Sequence, residues 1–199
     1  MTIDSDATLL ACVLIGGQSR RMGRPKHLLP APDEPRTLLE RTVARLRAIA
    51  PAVVIAGAGE VPPALERLDR IADAAGVAGP MAGIVAAMRK YPRAAWLTAA
   101  CDHPGMEVEG LEWLLSQASP EHWIVMPAIG SQCVVQPLLA FYRPQALALL
   151  EEMASSGRFS LAELAQHPKT RVVGLPAHLA GSWRDVDTPE EVDWCTACG

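Results

Sequence analysis

The chain has 199 residues, and its 18 Lys and Arg against 22 Asp and Glu give a formal net charge of -4. This mild acidity argues against a protein that coats nucleic acid or binds membranes through a polybasic surface. Half of the residues are hydrophobic but only 5% are aromatic, which predicts an aliphatic core between packed helices and strands. The length favours a single domain covering residues 1–199.

Neither a targeting signal nor a membrane segment is expected. The first residues carry Asp4 and Asp6 and no basic residue, unlike a secretory signal peptide. The uncharged stretch 74–88 is broken by glycine and proline and is shorter than the roughly 20 residues that a membrane span needs. Five cysteines without a framework spacing suit a reducing compartment. We therefore expect a cytoplasmic protein that binds neither nucleic acid nor membrane.

Apolar runs alternate with helical patterns through the first two thirds of the chain. In chain order they predict a strand at Leu9–Ile15, a helix that starts at the Thr37 and Glu40 capping box and ends before Pro51, a strand at Val53–Ala56, a helix at Met81–Met88, a strand at Ala94–Ala99, a helix at Val108–Ser116 and a strand at Trp123–Met126. This alternation predicts a three-layer α/β fold, with a mainly parallel central sheet and helices on both faces. Ligands of such sheets bind beyond the carboxyl ends of the strands.

The last third of the chain has a less regular pattern. It predicts a strand over Cys133–Ala140 interrupted by Pro137, a helix at Gln145–Met153, a second capping box at Ser160 and Glu163, a strand at Arg171–Val173 and a final helix that begins at Thr188 and Pro189. We find no internal repeat and no linker that would divide the chain.

A glycine-rich, basic segment follows the first predicted strand. It contains Gly16, Gly17 and Gly23 together with the cations Arg20, Arg21, Arg24 and Lys26. Free backbone N–H groups and cations at the end of a strand suit a polyphosphate ligand. The segment has neither a Walker A lysine nor a complete G-x-G-x-x-G pattern, and a solvated basic turn is the alternative reading.

Carboxylates follow the predicted strands at two further places. Asp102 ends the third parallel strand, where it would face the same cleft as the glycine segment and could hold Mg²⁺ against phosphate oxygens. Asp185 and Asp187 stand two residues apart, so both would point to one side of an extended segment. Capping of a turn or helix is the alternative role for each of these residues.

Five ordered motifs together resemble the molybdenum cofactor guanylyltransferase family (MobA) and its wider group of nucleotidyltransferases. They are Leu14-Ile15-Gly16-Gly17 with Arg21-Met22-Gly23 and Lys26-His27-Leu28-Leu29, Gly79-Pro80-Met81-Ala82-Gly83-Ile84, Cys101-Asp102-His103-Pro104, Gln136-Pro137-Leu138-Leu139, and Asp185-Val186-Asp187-Thr188-Pro189-Glu190-Glu191. The resemblance implies a Rossmann-like nucleotidyltransferase domain that binds GTP and Mg²⁺. It also implies transfer of GMP to the terminal phosphate of molybdopterin with release of pyrophosphate.

The resemblance also assigns site residues by position. It places Leu14, Ile15 and Gly16 at the base and ribose, Gly17 in the same turn, Lys26 at the phosphates, Asp73 at the nucleotide and Asp102 at Mg²⁺. For the chemistry we predict that Lys26 and Arg21 stabilise the leaving pyrophosphate and that Asp187 or Asp185 completes the metal shell.

Three departures from the family pattern concern the nucleotide side of the site. The family usually has Ala in place of Ile15 and Pro in place of Ala100, and it places a polar residue after the second strand, for which Val53–Ala58 offers no Asn. The paired glycines Gly16 and Gly17 and the turn Gly79-Pro80-Met81-Ala82-Gly83 nevertheless favour GTP over CTP, as the resemblance implies.

Some alternatives stay open at this stage. A related nucleotidyltransferase that uses CTP or another phosphorylated acceptor would have a similar loop, and a non-catalytic nucleotide-binding module belongs to a different class. A molybdoenzyme maturation protein is a further candidate partner. His27 and His103 flank the predicted site, and the sequence identifies no partner for either of them in acid–base chemistry.

Overall fold

The first strand of the chain, β1 (Leu9–Leu14), lies inside the sheet of the computed structural model, which describes residues 7–16, 25–31, 34–130 and 132–184. Its side chains alternate between two cores. Ala11 and Val13 belong to one hydrophobic cluster and Cys12 belongs to the other. The unbroken apolar sequence of β1 therefore reflects burial on both faces of the sheet, as in other parallel α/β proteins.

Eight strands form one sheet within the described residues. After β1 they are β2 (Ala52–Ala56), β3 (Asp69–Ile71), β4 (Ala95–Ala100), β5 (Ile124–Ile129), β6 (Val134–Val135), β7 (Phe141–Tyr142) and β8 (Thr170–Gly174). The order is β3-β2-β1-β4-β7-β5-β6, with β8 beside β5. The pairs among β3, β2, β1 and β4 are parallel, as is β5 with β8, whereas β7 runs antiparallel to β4 and β5.

Helices cover both faces of this sheet. The α-helices are α1 (Leu38–Arg47), α2 (Pro80–Lys90), α3 (Val108–Ser116) and α4 (Ala146–Ser155), and 3-10 helices occupy Lys26–Leu28, Pro63–Leu65, Leu161–Gln166 and Ala177–Trp183. The buried side chains of α1 and α3 belong to one hydrophobic cluster, and those of α2 and α4 belong to the other. The predicted three-layer arrangement with a mainly parallel sheet is confirmed.

The start of α1 follows the predicted capping box. The Thr37 hydroxyl accepts a hydrogen bond from the Glu40 N–H at 3.2 Å, and the Glu40 carboxylate accepts one from the Thr37 N–H at 2.8 Å. Two N–H groups that have no partner inside the helix are thereby satisfied.

The second predicted capping box is wrong. Ser160 precedes a 3-10 helix, and its side chain makes no capping hydrogen bond. The Glu163 N–H instead donates to the Ser160 carbonyl oxygen at 3.1 Å, so the tighter turn already uses the donor that the box requires. The Glu163 carboxylate pairs with Arg158 at 3.4 Å.

The strand predicted over Cys133–Ala140 is also wrong. Only Val134 and Val135 form a strand there, and the chain then turns before β7. The Pro137 carbonyl oxygen accepts a hydrogen bond from the Tyr142 hydroxyl at 2.8 Å, which fixes this turn against β7. The strand predicted at Trp123–Met126 in turn extends to Ile129 and includes Pro127, which pairs with Val173 in β8.

Several predicted features lie outside the described residues. They are Gly17, Arg20, Arg21, Gly23 and Arg24 of the basic segment, and Asp185, Asp187 and the helix from Thr188 near the end of the chain. No helix of the described ranges combines the length and the apolar character needed to cross a bilayer.

Candidate active site

A cleft of about 460 Å³ opens at the carboxyl ends of β1 and β4. The connection from β1 through α1 leads to β2 on one side, whereas β4 pairs with β1 on the other side. Successive strands are therefore added on one side of β1 first and on its other side afterwards, and this change in strand order is the usual position of the ligand crevice in open α/β sheets.

The cleft brings together most of the nucleotide-binding residues that the sequence predicts. Its lining includes Leu14, Ile15, Gly16, Asp73 and Asp102, and Lys26 lies beside Asp102. The start of α2 contributes Gly79, Pro80, Ala82 and Gly83, and Leu138 comes from the turn before β7. The motifs at 14–16, 79–83, 102 and 138 are thus parts of one cavity, although long stretches of chain separate them.

Glycines shape the wall where β1 meets β2. Gly16 and Gly57 both have a backbone φ of 110°, which residues other than glycine rarely adopt. The Ile15 N–H donates to the Ala56 carbonyl oxygen at 2.9 Å, and a Cβ on Gly57 would overlap the Ile15 carbonyl oxygen. Ile15, directly after β1, and Gly57, directly after β2, are therefore in contact on this side of the cleft.

The same loop accommodates the bulk of Ile15. A Cβ on Gly57 would lie 3.6 Å from Ile15 Cγ1, and one on Gly59 would lie 3.7 Å from Ile15 Cδ1. The Ile15 side chain is thus packed towards the loop, and the residue is only 7% exposed. Ile15 is larger than the Ala that is usual at this position, and the glycines in the loop after β2 leave room for its side chain.

Asp73 lies at the side of the cleft formed by α2. A Cβ on Gly83 would come within 2.8 Å of Leu14 Cδ2 and 3.5 Å of Asp73 Oδ1, so α2 packs closely against β1 at this glycine. Burial raises the pKa of the Cys12 thiol to about 12, and the charge of Asp73 acts in the same direction. Cys12 therefore stays protonated near neutral pH, which excludes it as a thiolate nucleophile.

Asp102 is the charged centre of the described site. Its Oδ2 lies 3.8 Å from Lys26 Nζ, and its Oδ1 lies 3.1 Å from Nδ1 of the buried His103, outside hydrogen-bond geometry. Burial acts to raise the pKa of the Asp102 carboxyl, but the close approach of His103 and the charge of Lys26 outweigh it. The pKa therefore lies below its usual value, and Asp102 is an anion at neutral pH.

The lowered pKa gives a testable dependence of stability on pH. The stabilisation from the Asp102 charge should be fully present above the unfolded-state pKa of about 4 and lost as the pH falls through the lower folded-state pKa. We expect the difference in free energy of unfolding between the wild type and Asp102→Asn not to shrink between about pH 8 and pH 5 and to shrink below about pH 4. Urea denaturation across this range measures it. A difference that already shrinks between pH 7 and pH 5 would indicate a raised pKa instead.

The two histidines near the site have partners that the sequence did not reveal. His103 faces the Asp102 carboxylate, and His27 Nε2 lies 2.8 Å from the Glu60 carbonyl oxygen. Both side chains are buried. His27 pairs across 33 residues of sequence, so no local spacing signals its contact. For His103, its position next to Asp102 in the Cys101-Asp102-His103-Pro104 motif was the available signal.

The donor set at the cleft suits a metal ion that also binds substrate. Among the described residues, no group of three or more His, Cys, Asp and Glu side chains could hold a metal ion. Asp102 offers a partly buried carboxylate, and Mg²⁺ is commonly held by one or two carboxylates together with the phosphates of a substrate. The residues present therefore fit Mg²⁺ when it arrives with a nucleotide.

The comparisons with known proteins agree with this architecture. A family model described as "MobA-like NTP transferase domain" matches residues 11–170. The Opitutus terrae protein named "Probable molybdenum cofactor guanylyltransferase" is 33% identical over 196 residues, which cover 94% of each chain. A protein of the same name from Bacillus mycoides is 26% identical and covers 92% of this chain and 86% of its own.

Solved structures show the same fold at lower sequence identity. The molybdopterin-guanine dinucleotide biosynthesis protein A of Archaeoglobus fulgidus has a TM-score of 0.76 at 22% identity, covering 94% of this chain and 97% of that one. The 2-C-methyl-D-erythritol 4-phosphate cytidylyltransferase of Thermus thermophilus has a TM-score of 0.62 at 16% identity, covering 96% and 98%. The predicted nucleotidyltransferase fold is confirmed. With the family model spanning most of the chain, the protein is a nucleotidyltransferase that belongs to the MobA-like NTP transferase family.

Proposed function

We propose that the protein transfers GMP from GTP to the terminal phosphate of molybdopterin and releases pyrophosphate. The observation that carries the proposal is the cleft at the carboxyl ends of β1 and β4, which Gly16 and Asp102 line and where Lys26 lies beside Asp102. This arrangement suits a nucleoside triphosphate whose phosphates bind a metal ion and whose base lies against the residues at the end of β1. The choice of molybdopterin as the acceptor is supported by relatives that are named molybdenum cofactor guanylyltransferases and are similar to this chain over nearly its whole length.

The chemistry requires positioning more than covalent help. The acceptor is a phosphate monoester, which is already an anionic nucleophile near pH 7, so no general base is needed. In our proposal Leu14, Ile15 and Gly16 hold the base and ribose, and Asp73 contacts the nucleotide from the α2 side. Lys26 then offsets the charge that develops on the pyrophosphate, with Arg21 as a second cation outside the described residues.

We propose that Asp102 holds Mg²⁺. The ion would supply charge neutralisation at the α- and β-phosphate oxygens. Asp185 or Asp187 is the proposed second carboxylate, and Gly17 the proposed second glycine of the nucleotide turn; all three lie outside the described residues. Gly181, in the last described segment before Asp185, lies against Gly105 in the turn after Asp102. The contact is so close that a Cβ on Gly105 would overlap the Gly181 carbonyl oxygen.

The choice of base is tested by offering GTP, CTP and ATP in parallel with Mg²⁺ and molybdopterin. The fold alone does not select guanine, since a cytidylyltransferase shares it. We expect a dinucleotide product and pyrophosphate from GTP, with CTP and ATP at least about tenfold less efficient, because the correct base forms hydrogen bonds that a wrong base leaves unpaired. Mass spectrometry of the product and a coupled pyrophosphate assay measure this.

Two other outcomes would contradict parts of the proposal. A larger kcat/KM with CTP would replace guanylyl by cytidylyl transfer. Tight GTP binding without any product would favour the non-catalytic nucleotide-binding module over the enzyme. A product with another phosphorylated acceptor, and none with molybdopterin, would keep the reaction type and change the substrate.

The setting of the activity is part of the same proposal. We infer that residues 1–199 act as one domain and that the protein works in the cytoplasm, since Cys12, Cys101 and Cys133 are free thiols. Binding of a molybdoenzyme maturation protein that receives the product stays a prediction.

A further inference from the structure

The 3-10 helix that carries Lys26 is attached to two different parts of the fold. On one side the Leu38 N–H donates to the Leu29 carbonyl oxygen at 2.9 Å, which joins the residue after this helix to α1. On the other side the His27 ring reaches the loop after β2, where Nε2 lies 2.8 Å from the Glu60 carbonyl oxygen. A carbonyl oxygen only accepts, so Nε2 carries the hydrogen and donates it.

The His27 ring is held in this position by close packing. The residue is only 7% exposed, and a Cβ on Gly59 would lie 3.3 Å from its Cε1 atom. The same Cβ would lie 3.7 Å from Ile15 Cδ1, so the ring and the Ile15 side chain both pack against Gly59. The glycine leaves room for the ring, and the hydrogen bond fixes its orientation.

This contact links the two halves of the proposed nucleotide site. Lys26 precedes His27 on the same 3-10 turn, and its Nζ lies 3.8 Å from Asp102 Oδ2 on the phosphate side. Ile15 lines the cleft on the base side, and the loop 57–60 packs against Ile15 from behind; we call Ile15 with this loop the nucleotide wall. A shift of His27 would therefore move the cation relative to this wall.

We propose that His27 is a positioning residue that fixes Lys26 relative to the nucleotide wall by donating a hydrogen bond to the Glu60 carbonyl oxygen. The inference rests on the proposed contact of Lys26 with the phosphates. His27 itself needs no contact with substrate. Its role explains how a loop without the family's usual polar side chain still contributes to the site, through a backbone oxygen instead.

A double-mutant cycle tests whether His27 acts through Lys26. The affinity of the whole protein for GTP with Mg²⁺ is measured by calorimetry for the wild type, His27→Ala, Lys26→Ala and the double variant. We expect His27→Ala to weaken binding about tenfold, and the double variant to bind within about twofold of Lys26→Ala. Losses that add, or an unchanged affinity in His27→Ala, would overturn the proposal.

Two further substitutions separate the hydrogen bond from simple loss of packing. The amide nitrogen of Gln can take the place of Nε2, whereas that of Asn corresponds to Nδ1. We expect His27→Gln to stay within about threefold of wild-type affinity and His27→Asn to resemble His27→Ala. If His27→Ala does not fold, the cycle is run with His27→Asn. A His27→Gln affinity as low as that of His27→Asn would overturn the assignment of the hydrogen bond.

A matched control is available at His122, whose Nδ1 lies 2.8 Å from the Ser119 hydroxyl before β5. His122→Ala also removes one histidine contact but lies at the amino end of its strand, and its GTP affinity should equal that of the wild type. The test also distinguishes this inference from the proposed function. A cycle that behaves as expected, in a protein that forms no dinucleotide with molybdopterin, would reject the function and support the role of His27.

Discussion

Asp102→Asn is expected to lower the rate of pyrophosphate release by at least about 100-fold at saturating GTP, Mg²⁺ and molybdopterin. The substitution keeps the size of the side chain and removes the charge that would hold the metal ion. It also removes the negative charge that lies 3.8 Å from the Lys26 ammonium. The effect should appear in kcat as well as in the concentration of Mg²⁺ required, because metal and phosphate bind together.

Asp69→Asn is the matched control for this prediction. Asp69 also lies beside a lysine, with Lys90 Nζ at 2.6 Å and the Tyr91 hydroxyl at 2.7 Å. It lies, however, at the amino end of the edge strand β3, whereas the cleft lies at the carboxyl ends of the parallel strands. We expect Asp69→Asn to release pyrophosphate at the wild-type rate. Near-normal Mg²⁺-dependent turnover in Asp102→Asn, with the fold confirmed by circular dichroism, would remove Asp102 from the mechanism.

The parallel half of the sheet could be predicted from sequence because its strands carry strong signals. β1 is an unbroken apolar run before Gly16, and β4 is an apolar run before Asp102 that only Thr98 interrupts. Because both strands are buried on both faces, neither shows the alternation of polar and apolar residues that marks a half-exposed strand. β3 was missed because three residues, one of them the exposed Arg70, carry no such pattern. Around β6 the apolar residues continue while the chain turns, so hydrophobicity alone could not locate the strand ends.

The site was predictable where its residues follow strand ends, and less so where contacts are long-range. Parallel strands bring the residues after their carboxyl ends together, which places Gly16 near Asp102 without further information. The contact of His27 with a backbone carbonyl could not be predicted from the residue types, because every residue has a carbonyl oxygen that could serve as the partner. The same holds for Gly57, whose role depends on the approach of the Ile15 backbone.

Gly57→Ala is expected to have the largest effect on stability among single substitutions near the cleft. A methyl group here would overlap the Ile15 carbonyl oxygen, and the φ of 110° is itself unfavourable for alanine. Strain and overpacking each cost about 1–3 kcal/mol, so we expect a loss of about 3 kcal/mol in the free energy of unfolding. For a chain of this length that corresponds to a drop in Tm of roughly 6–12 °C, measured by calorimetry.

Gly157→Ala separates the two contributions to this loss. Gly157 has a φ of 71° after α4, and a Cβ there would meet nothing within 4 Å, so only the backbone conformation is penalised. We expect a loss of about 1 kcal/mol and unchanged GTP affinity in this variant. In Gly57→Ala the surviving folded protein should also bind GTP more weakly, because relief of the overlap requires the turn after β1 to move away from β2. Equal losses of stability in the two variants, with normal GTP binding in both, would show that the close approach of Gly57 to Ile15 does not shape the nucleotide wall.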